Sequence, residues 1–134
     1  MLAHLSEALQ AIREAQAQGI KLLVHCFAGV SRSATVVIAY LMFEAKRRGE
    51  TPPFLGAAFR RVSTARPRCD PNPGFIRQLL ALEAMGCPEP LPEKETYQPL
   101  VEVADITSID IAWSEVGAAA SREAREAEER IVVR

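Results

Sequence analysis

The chain has 134 residues, 49% of them hydrophobic, and a formal charge of −1 at neutral pH. This is sufficient for one hydrophobic core, and the lack of a polybasic run argues against a nucleic-acid partner. The longest apolar stretch, Val36 to Phe43, is far shorter than the ~20 residues that span a bilayer, and no charged-then-apolar leader opens the chain, so no membrane role is expected.

In chain order, the first predicted elements are a helix and a strand. Leu5, Leu9 and Ile12 form an apolar stripe that predicts a helix over residues 3 to 18, ended by Gly19. The apolar run at 20 to 25 predicts a strand that is buried on both faces and therefore needs neighbours on both edges.

Three further helices are predicted after the strand. The first is largely apolar and extends from about Ser33 to Lys46, stopping near Gly49. The second opens at Thr51-Pro52-Pro53 and ends at Arg66-Pro67, and the third, Pro73 to Met85, is capped by Asn72 and closed by Gly86.

The segment between the strand and the second helix carries the chemistry. Residues 25 to 33 read HCFAGVSRS, with five residues between Cys26 and Arg32. A strand, a tight loop and a helix N-terminus form a concave, electropositive site that fits a phosphate. Such a site lowers the pKa of Cys26 and makes it a nucleophilic thiolate, and Arg32 offers a planar fork for two phosphate oxygens.

The other loop residues have supporting roles in this interpretation. Gly29 lets the backbone turn close to the ligand, and the Ser33 hydroxyl can donate to the sulfur and improve it as a leaving group. His25 is expected to fix the loop by hydrogen bonds, and Asn72 to support it from the start of the last helix. The predicted phosphate-binding residues are Phe27, Ala28, Gly29, Val30, Ser31 and Arg32.

Other interpretations of the motif are a structural cysteine beside a surface arginine, or a rhodanese-like or arsenate-reductase-like loop. The three cysteines, Cys26, Cys69 and Cys87, are an odd count without paired spacing, which is typical of a reducing compartment. We expect a cytoplasmic or nuclear location and neither a metal nor another cofactor. Cys69 and Cys87 are expected to be ordinary thiols, although a cysteine next to Cys26 could protect it from overoxidation.

The loop and its flanks resemble the dual-specificity branch of the protein tyrosine phosphatase superfamily. The resemblance covers residues 2 to 86 and includes Leu23-Val24-His25-Cys26, the apolar helix, Arg66-Pro67, and the run from Pro71-Asn72-Pro73-Gly74-Phe75 to Leu79. It implies an α/β fold in which a central parallel strand leads into the phosphate-binding loop and a helical bundle. It also implies hydrolysis of phosphotyrosine and of phosphoserine or phosphothreonine in a protein substrate, through a phosphocysteine and without metal.

The resemblance further implies a general-acid aspartate well upstream of the nucleophile. The only acidic residues before Cys26 are Glu7 and Glu14, and both lie in the first helical pattern. We therefore expect residues 1–87 to be the C-terminal half of a catalytic domain. The strands that complete its sheet could come from an N-terminal half, from a tail segment or from a partner, and we favour the N-terminal half. Two functions remain open: a phosphatase with impaired activity, or a crippled module that binds phosphate or shields phosphosites.

The composition changes after Gly86, so residues 88–134 are predicted to be a linker and a mobile or helical tail. Pro88, Pro90, Pro92 and Pro99 indicate an extended linker, Val101 to Trp113 alternates loosely, and Ser121 to Arg130 has a mixed-charge helical pattern. Three segments look like one branch of the dual-specificity phosphatases, which carries a C-terminal zinc-binding domain and takes part in ribosome assembly. They are Met1 to Leu5, Leu80 to Gly86, and Tyr97 to Leu100. The chain has no zinc-type cysteine pairs.

Overall fold

Five α-helices and two short strands make up the part of the chain that the computed structural model describes, residues 1–104 and the backbone of 131–133. A 3₁₀ turn opens the chain, and no helix in this part is both long and apolar enough for a membrane crossing. In chain order the elements are α1 (Leu5–Ala17), β1 (Leu22–Val24), α2 (Arg32–Arg47), α3 (Leu55–Ala65), α4 (Pro73–Ala84), α5 (Lys94–Val103) and β2 (Ile131–Val133).

The core is organised around α2, which packs against α1, α3 and α4. Its side chains Ile38, Met42 and Phe43 are completely buried, as the apolar face of the sequence predicts. Each such side chain contributes about 1.5–3 kcal/mol relative to exposure to water. The loop that precedes α2 is therefore attached to the most firmly packed helix of the molecule.

The helix ends predicted at glycines are confirmed. Gly19 and Gly49 have φ angles of 66° and 77°, a region in which a side chain would be strained. The N–H that follows each glycine bonds back to the helix, from Ile20 to the Ala15 carbonyl at 2.9 Å and from Glu50 to the Ala45 carbonyl at 3.1 Å. This is the Schellman pattern, which satisfies carbonyls left open at a helix C-terminus.

The predicted opening of α3 at Thr51-Pro52-Pro53 is wrong, because the helix begins at Leu55. The N–H groups at a helix start need acceptors, and here a carboxylate from α4 supplies them. Glu83 Oε1 accepts from the N–H of Phe54 and from that of Leu55, the latter at 2.8 Å. A cap from another helix leaves no local sequence signal.

Strand β1 is shorter than the predicted run at 20 to 25, and Ile20 and Leu23 are each 51% exposed. It pairs in parallel with β2, in the register Leu22 to Ile131 and Val24 to Val133. We expected the strand next to β1 to come from an N-terminal half. Within the described residues, it comes instead from a segment near the C-terminus. The observed architecture is thus mainly helical, with one two-stranded parallel sheet instead of a larger α/β sheet.

The extended linker predicted from Pro88 to Pro99 is wrong in its second half. Helix α5 begins at Lys94, includes Pro99, and packs against α4 with Tyr97 buried. Proline cannot donate a backbone hydrogen bond, so α5 lacks one helical bond at Pro99. The helical pattern at 121–130 and most of the alternating stretch at 101–113 lie outside the described residues, and the domain boundary at residue 87 stays a prediction.

Candidate active site

The loop of residues 25–31 connects the end of β1 at Val24 to the start of α2 at Arg32. This is the strand, loop and helix order that the motif predicts. Gly29 is buried and has a φ of 64°, so it occupies the left-handed region that favours glycine. The turn therefore requires a glycine at this position.

Hydrogen bonds hold the carbonyl groups of the loop from outside. In a trans peptide the C=O and the N–H point in opposite directions, so each held carbonyl fixes the direction of the following N–H. A row of N–H groups fixed in this way is the arrangement that binds anions. Arg66 donates from Nη2 to the Ala28 carbonyl (3.5 Å) and from Nε to the Gly29 carbonyl (2.7 Å). The Asp70 N–H donates to the Val30 carbonyl (2.9 Å). The Ser31 carbonyl accepts from the N–H (2.9 Å) and from Oγ1 (2.7 Å) of Thr35.

The sulfur of Cys26 lies within reach of this row. Burial by itself raises the pKa of the Cys26 thiol, but hydrogen bonds from the Ser33 hydroxyl and from the N–H groups of Ser33, Gly29 and Val30 outweigh it. They bring the pKa down to about 6 from an ordinary 9.0. Cys26 is therefore mainly thiolate at neutral pH, which is the form in which a cysteine is nucleophilic.

Ser33 is the side-chain partner of Cys26. Its hydroxyl oxygen lies 3.3 Å from the Cys26 sulfur, and the residue is 2% exposed in the first turn of α2. When the sulfur is a thiolate, the hydroxyl must be the donor. The structure thus brings together the two residues that the sequence paired.

Arg32 and Phe27 both face solvent. Arg32 is the first residue of α2, and its guanidinium has no hydrogen bond or ion pair with the residues that the structure describes. Its fork is therefore available to a ligand. Phe27, directly after the nucleophile, is 98% exposed, so its ring takes no part in the core.

The support of the loop differs from the prediction at His25. This side chain is exposed and has no hydrogen bond within residues 1–104, so it does not fix the loop as expected. Asn72 fulfils its predicted role as a helix cap, since its Oδ1 accepts from the Phe75 N–H at 3.0 Å. Its own N–H donates to Ser31 Oγ at 3.0 Å and so joins the start of α4 to the loop.

The remaining cysteines are ordinary buried thiols. Cys69 and Cys87 are buried and free, and burial raises the pKa of each to about 11. Both are therefore protonated at neutral pH, and only Cys26 has the reactive form.

The two acidic residues before the nucleophile, Glu7 and Glu14, are exposed on α1, where Glu14 accepts a hydrogen bond from Gln10 at 2.8 Å. No carboxyl group of residues 1–104 is hydrogen-bonded to the loop, and this part of the chain holds no cluster of three His, Cys, Asp or Glu side chains that could bind a metal.

Arg66 is the residue at the site that sequence reasoning missed. In the sequence, Arg66-Pro67 belongs to the family resemblance and indicates the end of a helix, but no role at the site was predicted for Arg66, whose side chain reaches back to the loop. The acceptors are backbone carbonyls, which have no residue-type signature, so only the tertiary structure reveals this contact.

Comparison with known proteins gives a consistent answer for this region. The family "Dual specificity phosphatase, catalytic domain" matches residues 1–85. The chain is similar to dual specificity protein phosphatase 1 of Arabidopsis thaliana, with 49% identity over 60% of this chain and 37% of the relative. It is also similar to dual specificity protein phosphatase 8 of Mus musculus, with 34% identity over 92% of this chain and 20% of the relative.

A third relative is human protein phosphatase Slingshot homolog 3, with 46% identity over 59% of this chain and 11% of the relative. The chain thus covers little more than a third of the length of the Arabidopsis protein and less of the other two. No solved structure matches it.

Proposed function

The chain belongs to the dual specificity phosphatase family, and we propose that it hydrolyses phosphotyrosine and phosphoserine or phosphothreonine in protein substrates. The observation that carries the proposal is the surroundings of Cys26, where the Ser33 hydroxyl and three backbone N–H groups stabilise the thiolate. Pure phosphate binding does not require a nucleophile or a hydroxyl directed at its sulfur. Hydrolysis through a phosphocysteine requires the nucleophile, and the hydroxyl makes the sulfur a better leaving group in the second step.

The reaction has two steps in this proposal. The Cys26 thiolate attacks phosphorus and forms a sulfur–phosphorus bond while the ester oxygen leaves with the bonding electrons and takes up a proton. Water then attacks the phosphocysteine, which releases inorganic phosphate and regenerates the thiolate. Backbone N–H groups of the loop and the fork of Arg32 hold the non-bridging oxygens in both steps.

The leaving group determines how fast the first step is. A positioned general acid contributes about 10²–10⁴-fold, mainly when the leaving oxygen is basic. The acidic residues before Cys26, Glu7 and Glu14, are exposed on α1, and we propose that neither serves as this acid, so that the chain turns over aryl phosphates faster than alkyl phosphates. The activity toward phosphoserine and phosphothreonine is then impaired.

Burst kinetics with an aryl phosphate test the proposal. We expect one equivalent of phenol per Cys26 followed by steady turnover, and no phenol release from Cys26→Ser. Turnover that persists in Cys26→Ser would refute the mechanism. A burst without turnover would indicate a module that traps phosphate, and binding without a burst would indicate the crippled module considered above.

The finer assignment within the family is also a proposal. The likeness of Met1 to Leu5, Leu80 to Gly86 and Tyr97 to Leu100 to the branch with a zinc-binding domain supports a link to ribosome assembly. A cytoplasmic or nuclear location follows from the same proposal, with a phosphorylated protein as the partner.

A further inference from the structure

Arg66 lies on a different element from the nucleophile and reaches the loop with its side chain. It is the residue that ends α3, where its own N–H bonds to the Val62 carbonyl at 2.8 Å. From there Nε donates to the Gly29 carbonyl at 2.7 Å, and Nη2 lies 3.5 Å from the Ala28 carbonyl. The first contact is a short charge-assisted hydrogen bond, and the second is long and weaker.

The two carbonyls belong to two particular peptide units. The Gly29 carbonyl shares its peptide plane with the Val30 N–H, and the Ala28 carbonyl shares its plane with the Gly29 N–H. The Val30 and Gly29 N–H groups are among the backbone groups whose hydrogen bonding lowers the pKa of the Cys26 thiol. Arg66 therefore contacts the far side of the peptide units whose near side contacts the nucleophile.

We propose that Arg66 is a positioning residue, which holds and polarises the Gly29 and Val30 amides so that they face the Cys26 sulfur. The effect of Arg66 on catalysis rests on the proposed function. Its effect on the pKa of the Cys26 thiol can be measured without turnover. A cation on a carbonyl oxygen withdraws electrons from the amide and makes its N–H a stronger donor. Gly29, with its φ of 64°, has no β-carbon to restrict rotation, so the loop needs an external hold at this point.

Arginine suits this position better than lysine. Its planar guanidinium presents two N–H directions that match two successive carbonyls, whereas an ammonium group is a point charge on a flexible stem. The other outer contacts of the loop come from Asp70 and Thr35 and hold later carbonyls. The Gly29 carbonyl accepts its hydrogen bond from Arg66.

The test measures the reactivity of the Cys26 thiol and not only turnover. Alkylation by iodoacetamide is followed across pH in the full chain, with the Cys26 peptide quantified by mass spectrometry. We expect Arg66→Ala to raise the pH midpoint of Cys26 alkylation by about one unit. This is the shift expected if the thiolate loses about one hydrogen bond from a loop N–H. The kcat/KM for an aryl phosphate is expected to fall about tenfold or more.

Two further variants make the outcome decisive. Arg68→Ala removes an exposed arginine two residues away and is expected to leave both quantities unchanged. Arg66→Lys keeps the charge and is the variant to use if Arg66→Ala does not fold, and its midpoint is expected to rise as well.

A folded Arg66→Ala or Arg66→Lys protein with the wild-type alkylation midpoint would overturn the positioning role. The alkylation midpoint could also shift in Arg66→Ala although neither the wild type nor any variant hydrolyses phosphate esters. In that case the proposed function fails and the positioning role of Arg66 stands.

Discussion

Replacement of Ser33 by alanine removes the hydroxyl that lies 3.3 Å from the Cys26 sulfur and leaves the backbone N–H groups in place. A hydrogen bond to a charged group contributes about 1.5–3 kcal/mol, and one pKa unit corresponds to about 1.4 kcal/mol. Because sulfur is a weak acceptor, we take the lower limit, which predicts that the pKa of Cys26 rises from about 6 by about one unit. At pH 6 the thiolate fraction then falls from about one half to about one tenth.

The assay is the pH dependence of Cys26 alkylation, with Ser63→Ala as the matched control. Ser63 also donates from a partly buried hydroxyl, to the Arg60 carbonyl at 3.0 Å, but it lies on α3 and not in the loop. We expect a shifted midpoint only in Ser33→Ala, together with slower hydrolysis of the phosphocysteine after a normal burst. An unchanged midpoint in a folded Ser33→Ala protein would refute the assignment of this hydrogen bond as a stabiliser of the thiolate.

Three further predictions address the substrate, the fold and its pH dependence. If no general acid serves the leaving group, as proposed above, an aryl phosphate is expected to be hydrolysed at least 10²-fold faster than phosphoserine, and equal rates would contradict this. Glu83→Ala, which uncaps α3, is expected to lower the free energy of unfolding by about 1–2 kcal/mol in a denaturant titration, with exposed Glu7→Ala as a neutral control. Arg13 donates two hydrogen bonds to Glu89, which hold the pKa of that carboxyl below its usual range. The free energy of unfolding that Glu89 contributes is therefore present above about pH 4.5 and disappears as the pH falls through the lowered pKa. Thermal unfolding should therefore show Glu89→Gln less stable than wild type at neutral pH, with a difference that disappears as the pH falls through the lowered pKa of Glu89, and a constant difference would contradict the ion pair.

Patterns within one element were predicted well from the sequence. The apolar stripe of α1, the buried face of α2 and the helix stop at Gly19 all depend on residues a few positions apart. The pairing of Cys26 with Ser33 also belongs to this class, because one loop and one helical turn separate them. Local steric and periodic rules are sufficient for such features.

Contacts between distant segments were not predicted. The cap of α3 comes from Glu83 on α4, the neighbour of β1 comes from Ile131–Val133, and a helix lies where prolines indicated a linker. In each case a backbone N–H or C=O group, or an aromatic ring, finds its partner through folding, and backbone acceptors have no sequence signature.

The sequence by itself determined the pairing of Cys26 with Ser33 and the glycine at which the loop turns, since both follow from residue type at fixed spacing. Only the tertiary structure decided what holds the loop in shape. Arg66, Asp70 and Asn72 contact the loop from about forty residues downstream, and the expected support from His25 is not observed in residues 1–104. The reason is that an oxyanion site consists of oriented peptide groups, and their orientation is fixed by whichever donors the fold brings to the outer side of the loop.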